Sequence, residues 1–233
     1  MKLQRLIAAL ILLLVPVIAN AATIDFLGLR NAEVVTVAGV RSVRAWAGEM
    51  QWAWLDGKPA GASADPFYSY CVDLLNNERD PQYNVEVRST DYLKTDGMLP
   101  TESAARKAVW LFDTFAVAAH DSKYGSLAAG LQLAIWEVLY DDGKYLTFDG
   151  TTGATNGFYV TEASTAALDA GKYYLSQLNS SNYMSAASAL WLDVESGKGQ
   201  DQITRPVPEP ATALLLGTGM LGIAIRRRRV SQA

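Results

Sequence analysis

One thiol and one imidazole limit the chemistry open to this chain: among its 233 residues Cys71 is the only cysteine and His120 the only histidine. No disulfide can form within the chain, and a zinc site of the usual Cys/His kind is excluded. A cysteine hydrolase would need Cys71, His120 as base and a third group to orient the base. His120 lies in Ala119-His120-Asp121, where a solvated imidazole beside a carboxylate is the plainer reading. Cys71 lies in Tyr68-Ser69-Tyr70-Cys71-Val72-Asp73, and acidic Asp73 without a nearby cation does not favour a thiolate. A buried cysteine serving as a small hydrophobe is the ordinary alternative. There is no glycine-rich phosphate loop, EF-hand spacing or G-x-S-x-G. Asp141-Asp142-Gly143 reads as a turn rather than a calcium site, so no metal or cofactor is expected.

A thiol outside the cytoplasm is exposed to oxidation, and the chain has the marks of export. Residues 1–21 read as a signal peptide: Lys2 and Arg5 form the charged start, Leu6–Ile18 the apolar stretch, and Ala19-Asn20-Ala21 the small-residue cleavage site. The mature protein is expected to begin at Ala22. Between residues 22 and 205 the chain carries 14 basic against 23 acidic side chains, a formal −9, together with every aromatic residue. Such a charge argues against nucleic acid, whose phosphates must be neutralised by Lys and Arg.

The C-terminal end has three parts in order: Pro208-Glu209-Pro210, the apolar run Ala211–Ile225, and Arg226-Arg227-Arg228-Arg229. As a helix that run would reach about 22 Å at 1.5 Å per residue, against a hydrocarbon core of about 30 Å. It could span only with snorkelling or local thinning, and the arginines should stop export on the cytoplasmic side. This end resembles the PEP-CTERM sorting tail of bacterial exported proteins. The resemblance implies that an exosortase-type membrane protease cuts at Pro208-Glu209-Pro210 after the helix has held the protein in the membrane. An anchor that is never cut is the alternative.

The elements that must position Cys71 and its neighbours can be read from periodicity. Glu33–Val37, Val40–Ala47 and Met50–Leu55 are β-rich runs, and Phe67–Leu75 reads as the strand that contains Cys71. Tyr83–Ser89 alternates with the period of a half-buried strand. Three helices follow, over Glu102–Ala119, Ser126–Leu139 and Glu162–Leu178, and Ala189–Val194 closes the set as a strand. The expected fold class is α+β: a β-sandwich-like sheet with a helical insertion, preceded by the signal peptide and followed by the short apolar helix. The expected domain runs 22–195, with 196–206 a polar linker and 207–233 the sorting tail.

Tyr70-Cys71-Val72-Asp73, followed later by Gln132-Leu133-Ala134-Ile135-Trp136, resembles the thioester domain of bacterial surface adhesins. In that family a Cys in a Tyr-Cys context and a Gln in a Q-x-A-I-W context join spontaneously and expel ammonia. The resemblance implies Cys71 as thiol donor, Gln132 as acyl donor, and Tyr70 and Trp136 as shields against water. Leu131 stands where many members have Thr before the Gln, which leaves the hydrogen bonding of the Gln carbonyl open. The implied function is an exported cell-surface protein that attaches covalently to amines or hydroxyls of a surface or matrix partner. The bond is used once without turnover, so the protein is not expected to be an enzyme. An inert surface or exopolysaccharide-associated protein is the alternative, with the Cys71/His120 hydrolase behind it.

Overall fold

The computed structural model describes residues 20–58, 65–77, 81–89, 100–141, 146–149, 157–179, 182–183, 189–195 and 198–205. The expected apolar C-terminal helix and nearly all of the expected signal peptide lie outside them. Among the described residues no helix is long and apolar enough to cross a membrane.

The chain begins with a long antiparallel hairpin, β1 (Asn20–Ala38) and β2 (Val43–Asp56). These two strands replace the three shorter runs expected, and β2 passes straight through Gly48-Glu49, where a break was expected. Gly48 has φ +147°, and a Cβ there would sit 2.6 Å from the backbone of Asn31 and Ala32. Glycine therefore allows the close approach that keeps the strand continuous. Register shifts between Phe26 and Gly28, and between Arg30 and Glu33, mark bulges that coil the hairpin.

That coiling decides the sheet. β1 pairs with β2 along its length, and its residues 20–25 also pair with β4 (Gln82–Ser89). The order β2-β3-β7-β6-β4-β1, with β3 at Phe67–Cys71, β6 at Leu190–Val194 and β7 at Gln202–Thr204, closes through the β1–β2 pairing. β5 (Tyr159–Glu162) adds to the other edge of β1 at Thr36–Ala38. The expected sandwich-like sheet is thus a closed antiparallel ring, which leaves few free edges. Tyr83, Val85 and Val87 of β4 are buried, as their alternation indicated.

The polar stretch expected as a linker over 196–206 contributes a strand to the sheet. Its residues Asp201–Thr204 are buried, and β7 is inserted between β3 and β6. The polar side chains there are matched internally: Ser69 donates to Gln202 Oε1 at 3.0 Å, and Thr204 Oγ1 donates to Tyr68 O at 2.8 Å. Polarity was a poor guide because these partners come from distant strands.

Among the described residues three helices pack on the ring. Thr101 caps α1 (Glu102–Asp121) and Ser164 caps α3 (Thr165–Ser176), each accepting from a backbone amide of the first turn. Glu162, expected inside the third helix, ends β5 instead and accepts from Thr36 Oγ1 at 2.9 Å. Between the two lies α2 (Gly125–Tyr140), buried continuously from Ala128 to Tyr140. A Cβ on Gly130 would lie 2.7 Å from Ala167 O of α3, so the glycine lets the helices approach closely. A helix buried on every side places its few polar residues against protein, and Gln132 is one of them.

Candidate functional site

The β2–β3 pairing ends at Met50–Ser69, two residues before β3 itself ends. Cys71 still pairs with Gln202 of β7. Its own amide and carbonyl are taken by the side chain of Gln132. The Cys71 N–H donates to Gln132 Oε1 at 2.9 Å, and Gln132 Nε2 donates to Cys71 O at 2.7 Å. The carboxamide of α2 thus presents to Cys71 the donor and acceptor that another peptide unit would offer. Both residues are 1% exposed. Leaving either group of such a pair unmatched would cost about 1–3 kcal/mol, so the pairing holds Gln132 in one place.

After Cys71 the chain turns. Asp73 is fully buried, and its carboxylate accepts from the amides of Leu75 (2.7 Å) and Asn76 (3.3 Å) and from Asn76 Nδ2 (2.7 Å). This side chain therefore builds the turn. The turn brings the Asp73 backbone onto the sulfur: the thiol donates to Asp73 O at 2.9 Å, and the Asp73 amide donates to Sγ at 3.3 Å. Tyr140 Oη, at the end of α2, donates to Val72 O and accepts from the Leu74 amide, both at 3.0 Å. The strand expected over Phe67–Leu75 therefore stops at Cys71, where side chains replace the ladder.

This arrangement has a definite chemical capacity. The Gln132 carbonyl is held by the N–H of the residue that carries the nucleophile. Were Sγ to attack Gln132 Cδ, negative charge would develop on Oε1, where that N–H already points. Docking of the carboxamide on the Cys71 backbone would lower the entropic cost of such a step. The polar partner that sequence left open at Leu131 is thus the backbone amide of Cys71. No residue type encodes a backbone donor, so the sequence held no signal for it.

The other candidate residues are placed as follows. Tyr70 faces away from Cys71, as successive strand residues do. Its ring meets Phe112 at 6.0 Å, and its hydroxyl lies 3.4 Å from Glu49 Oε1. Burial, then the charge of Glu49, pushes the Tyr70 phenol well above its usual range, so it stays protonated. Trp136 is buried with its ring 6.3 Å from Phe158, and its indole N–H has no hydrogen-bond partner among the described residues. His120 Nδ1 is 3.1 Å from Glu49 Oε2, and its ring is 4.3 Å from that of Tyr68. His120 thus belongs to the cluster around Glu49 and Tyr68. Burial raises the Glu49 carboxyl, against the opposing pull of His120, Tyr70 and Arg30. Pro208, Glu209, Pro210 and Arg226–Arg229 lie outside the described residues. Among the described residues no group of three or more His, Cys, Asp or Glu could hold a metal.

The expected cleavage site meets the sheet. Asn20 and Ala21 pair with Val87 and Glu86 of β4, so removal of residues 1–21 would trim these two pairs and leave Ala22–Val85 as the first.

Residues 206–229 match the PEP-CTERM protein-sorting motif. The chain thus carries the sorting signal of exported, surface-associated proteins that exosortase, a membrane enzyme, processes. No curated protein matches the chain. Its structure is similar to the N-terminal thioester domain of fibronectin-binding protein SfbI from Streptococcus pyogenes, with 12% identity and a TM-score of 0.43, covering 83% of this chain and 97% of that one.

Proposed function

We propose that this exported, sorted protein forms an internal thioester between Cys71 and Gln132 and uses it once, without turnover, to attach covalently to a surface or matrix nucleophile. The observation that supports this reading is the docking of the Gln132 carboxamide on the backbone of Cys71, at 2.9 and 2.7 Å, in a buried site. The sulfur attacks Gln132 Cδ, a C–S bond forms, the C–N bond breaks, and the thiol proton leaves with the amide nitrogen as ammonia. An amine that later attacks the same carbon forms an amide and returns a proton to the Cys71 thiolate. A thioester is the better electrophile because the thiolate is the better leaving group. Exosortase processing at Pro208-Glu209-Pro210, after transient retention by Ala211–Ile225, would deliver the reactive protein to the outside.

The test is the intact mass of the exported protein. It should be one ammonia lighter than its processed sequence, and methylamine should add its own mass at Gln132 and release one thiol at Cys71. Cys71→Ala leaves the two backbone bonds to Gln132 in place, so it should fold and should show neither effect. Gln132→Ala should also show neither. A folded, full-mass protein with a titratable Cys71 overturns the reading. An inert surface protein would give that full mass and no reaction with amines.

A further inference from the structure

A reactive bond that is 1% exposed at both of its residues must be uncovered before a partner can reach it. The contacts around Cys71 identify the cover. Asp73 supplies two backbone groups in contact with Sγ. The turn it belongs to, Val72–Asn77, is held down from three directions. Arg41 Nη1, from the β1–β2 connection, donates to Leu74 O at 3.2 Å, to Leu75 O at 2.8 Å and to Asn77 Oδ1 at 3.4 Å. Gln200 Nε2, just before β7, donates to Asp73 O at 3.0 Å and Asn76 O at 2.8 Å. Tyr140 holds Val72 and Leu74 from α2, and the Val72 amide donates to Asp201 O at 2.9 Å.

We propose that the Val72–Asn77 turn is a latch over the Cys71–Gln132 site, and that Arg41 and Gln200 are positioning residues that set how often it opens and hence how fast a nucleophile reacts. The proposal rests on the thioester reading above. Two features favour it. Arg41 and Gln200 are only partly buried and lie at the ends of connections, where local opening costs least. They also hold the turn by its backbone carbonyls, so their loss frees the turn without leaving an empty space in the core. Tyr140, fully built into α2, would remain as the hinge side of the turn. An amine enters when the turn lifts, attacks Gln132 Cδ, breaks the C–S bond and leaves its proton on Sγ; when the turn is closed, the Asp73 backbone occupies the approach.

The experiment measures the rate of methylamine incorporation at Gln132 in the exported protein, for wild type, Arg41→Ala, Arg41→Lys, Gln200→Ala and the double Ala variant. Each single Ala change is expected to raise the rate about tenfold, the factor that corresponds to one or two lost hydrogen bonds. Arg41→Lys should return most of the way, since an ammonium can still serve the carbonyls. The fast rates should rise far less steeply with dilute urea than global unfolding does, because opening the turn exposes Val72, Asp73 and Leu74 and not the rest of the core. A merely structural role would give rates that climb with urea in step with global unfolding, and that overturns the proposal. So do unchanged or slower rates in variants that show the full ammonia deficit. A wild-type protein of full mass defeats the thioester reading separately. In that event the rate of iodoacetamide labelling at Cys71 tests the latch alone, with the same rank order expected and equal rates counting against it.

Discussion

Two buried polar clusters lie on opposite faces of β3, one residue apart in sequence, and they are built on different principles. On one face the Gln132 carboxamide meets the Cys71 backbone with one donor and one acceptor each, at 2.9 and 2.7 Å, and no charge is involved. On the other face Glu49, 1% exposed, is held by His120 at 3.1 Å and more loosely by Tyr70 at 3.4 Å and Asn31 at 3.5 Å. The first cluster matches a neutral amide to a peptide unit and sets the Gln132 carbonyl on the N–H of the cysteine. The second buries an ionisable group with long contacts and ties the C-terminal end of α1 to β2. Neutral, matched groups can be buried at little net cost, whereas a carboxylate depends on its partner. Proximity to Cys71 along the chain therefore says little about chemistry, and facing decides it.

The largest expected effect comes from opening the proposed cross-link. Gln132 and Cys71 are 61 positions apart, and a covalent tie across about sixty residues stabilises by roughly 4 kcal/mol in the chain-entropy account. Methylamine-treated protein should therefore unfold at clearly lower urea than the untreated form, with the fold otherwise unchanged. Cys71→Ala should match the treated protein to within about 1 kcal/mol. Equal midpoints before and after treatment would mean that no tie was present.

The second effect lies on the opposite face. His120→Ala leaves Glu49 buried without its nearest partner, at a cost of about 2–3 kcal/mol once the partial exposure of the imidazole is allowed for. Glu49→Gln in the same background should recover part of that loss, because an amide needs no counter-charge. Methylamine reactivity at Gln132 should not change in either variant. A His120→Ala protein that lost amine reactivity while remaining folded would mean that the two faces are coupled and would revive a role for the imidazole.

The elements were largely legible in the sequence because their side chains repeat with the period of the backbone. Tyr83, Val85 and Val87 revealed β4, and the stripe from Ala105 to Ala119 revealed α1. The places that were misread share one cause: their partners are distant in sequence. Asp201–Thr204 looked like linker because the side chains of Gln202 and Thr204 are answered by Ser69 and by the Tyr68 carbonyl. Gly48 looked like a break because its close neighbour is Ala32 on the other strand. The ring closure followed from bulges in β1, which leave no periodic mark. For the site, Cys71 was visible as a lone thiol, whereas Gln132 came from a family resemblance and not from its position on α2. The clamps Arg41, Tyr140 and Gln200 were invisible, since each acts on backbone carbonyls or amides of the turn.

Counted per unit of pH, the smallest effect uses α2 as its own control, since Glu137 lies five residues beyond Gln132 on the same buried helix. Gln132 is neutral by chemistry, and Glu137 is neutral because burial holds its proton. Burial first, then the charges of Asp141 and Asp149, pushes its carboxyl from 4.5 to about 9, and the Thr147 backbone opposes only part of that. Among the described residues neither of its oxygens has a hydrogen-bond partner of ordinary geometry. Between pH 4.5 and about 9 the folded protein keeps a proton that the unfolded chain releases. Stability contributed by this group is therefore full below pH 4.5 and declines as pH rises towards 9, by at most about 1.4 kcal/mol per unit. Glu137→Gln should remove that slope, so urea midpoints of the variant and the wild type should converge at low pH and separate at high pH, with the variant more stable. Parallel curves would show that Glu137 ionises normally in the fold, and that a carboxylate on α2 is answered as fully as the Gln132 amide.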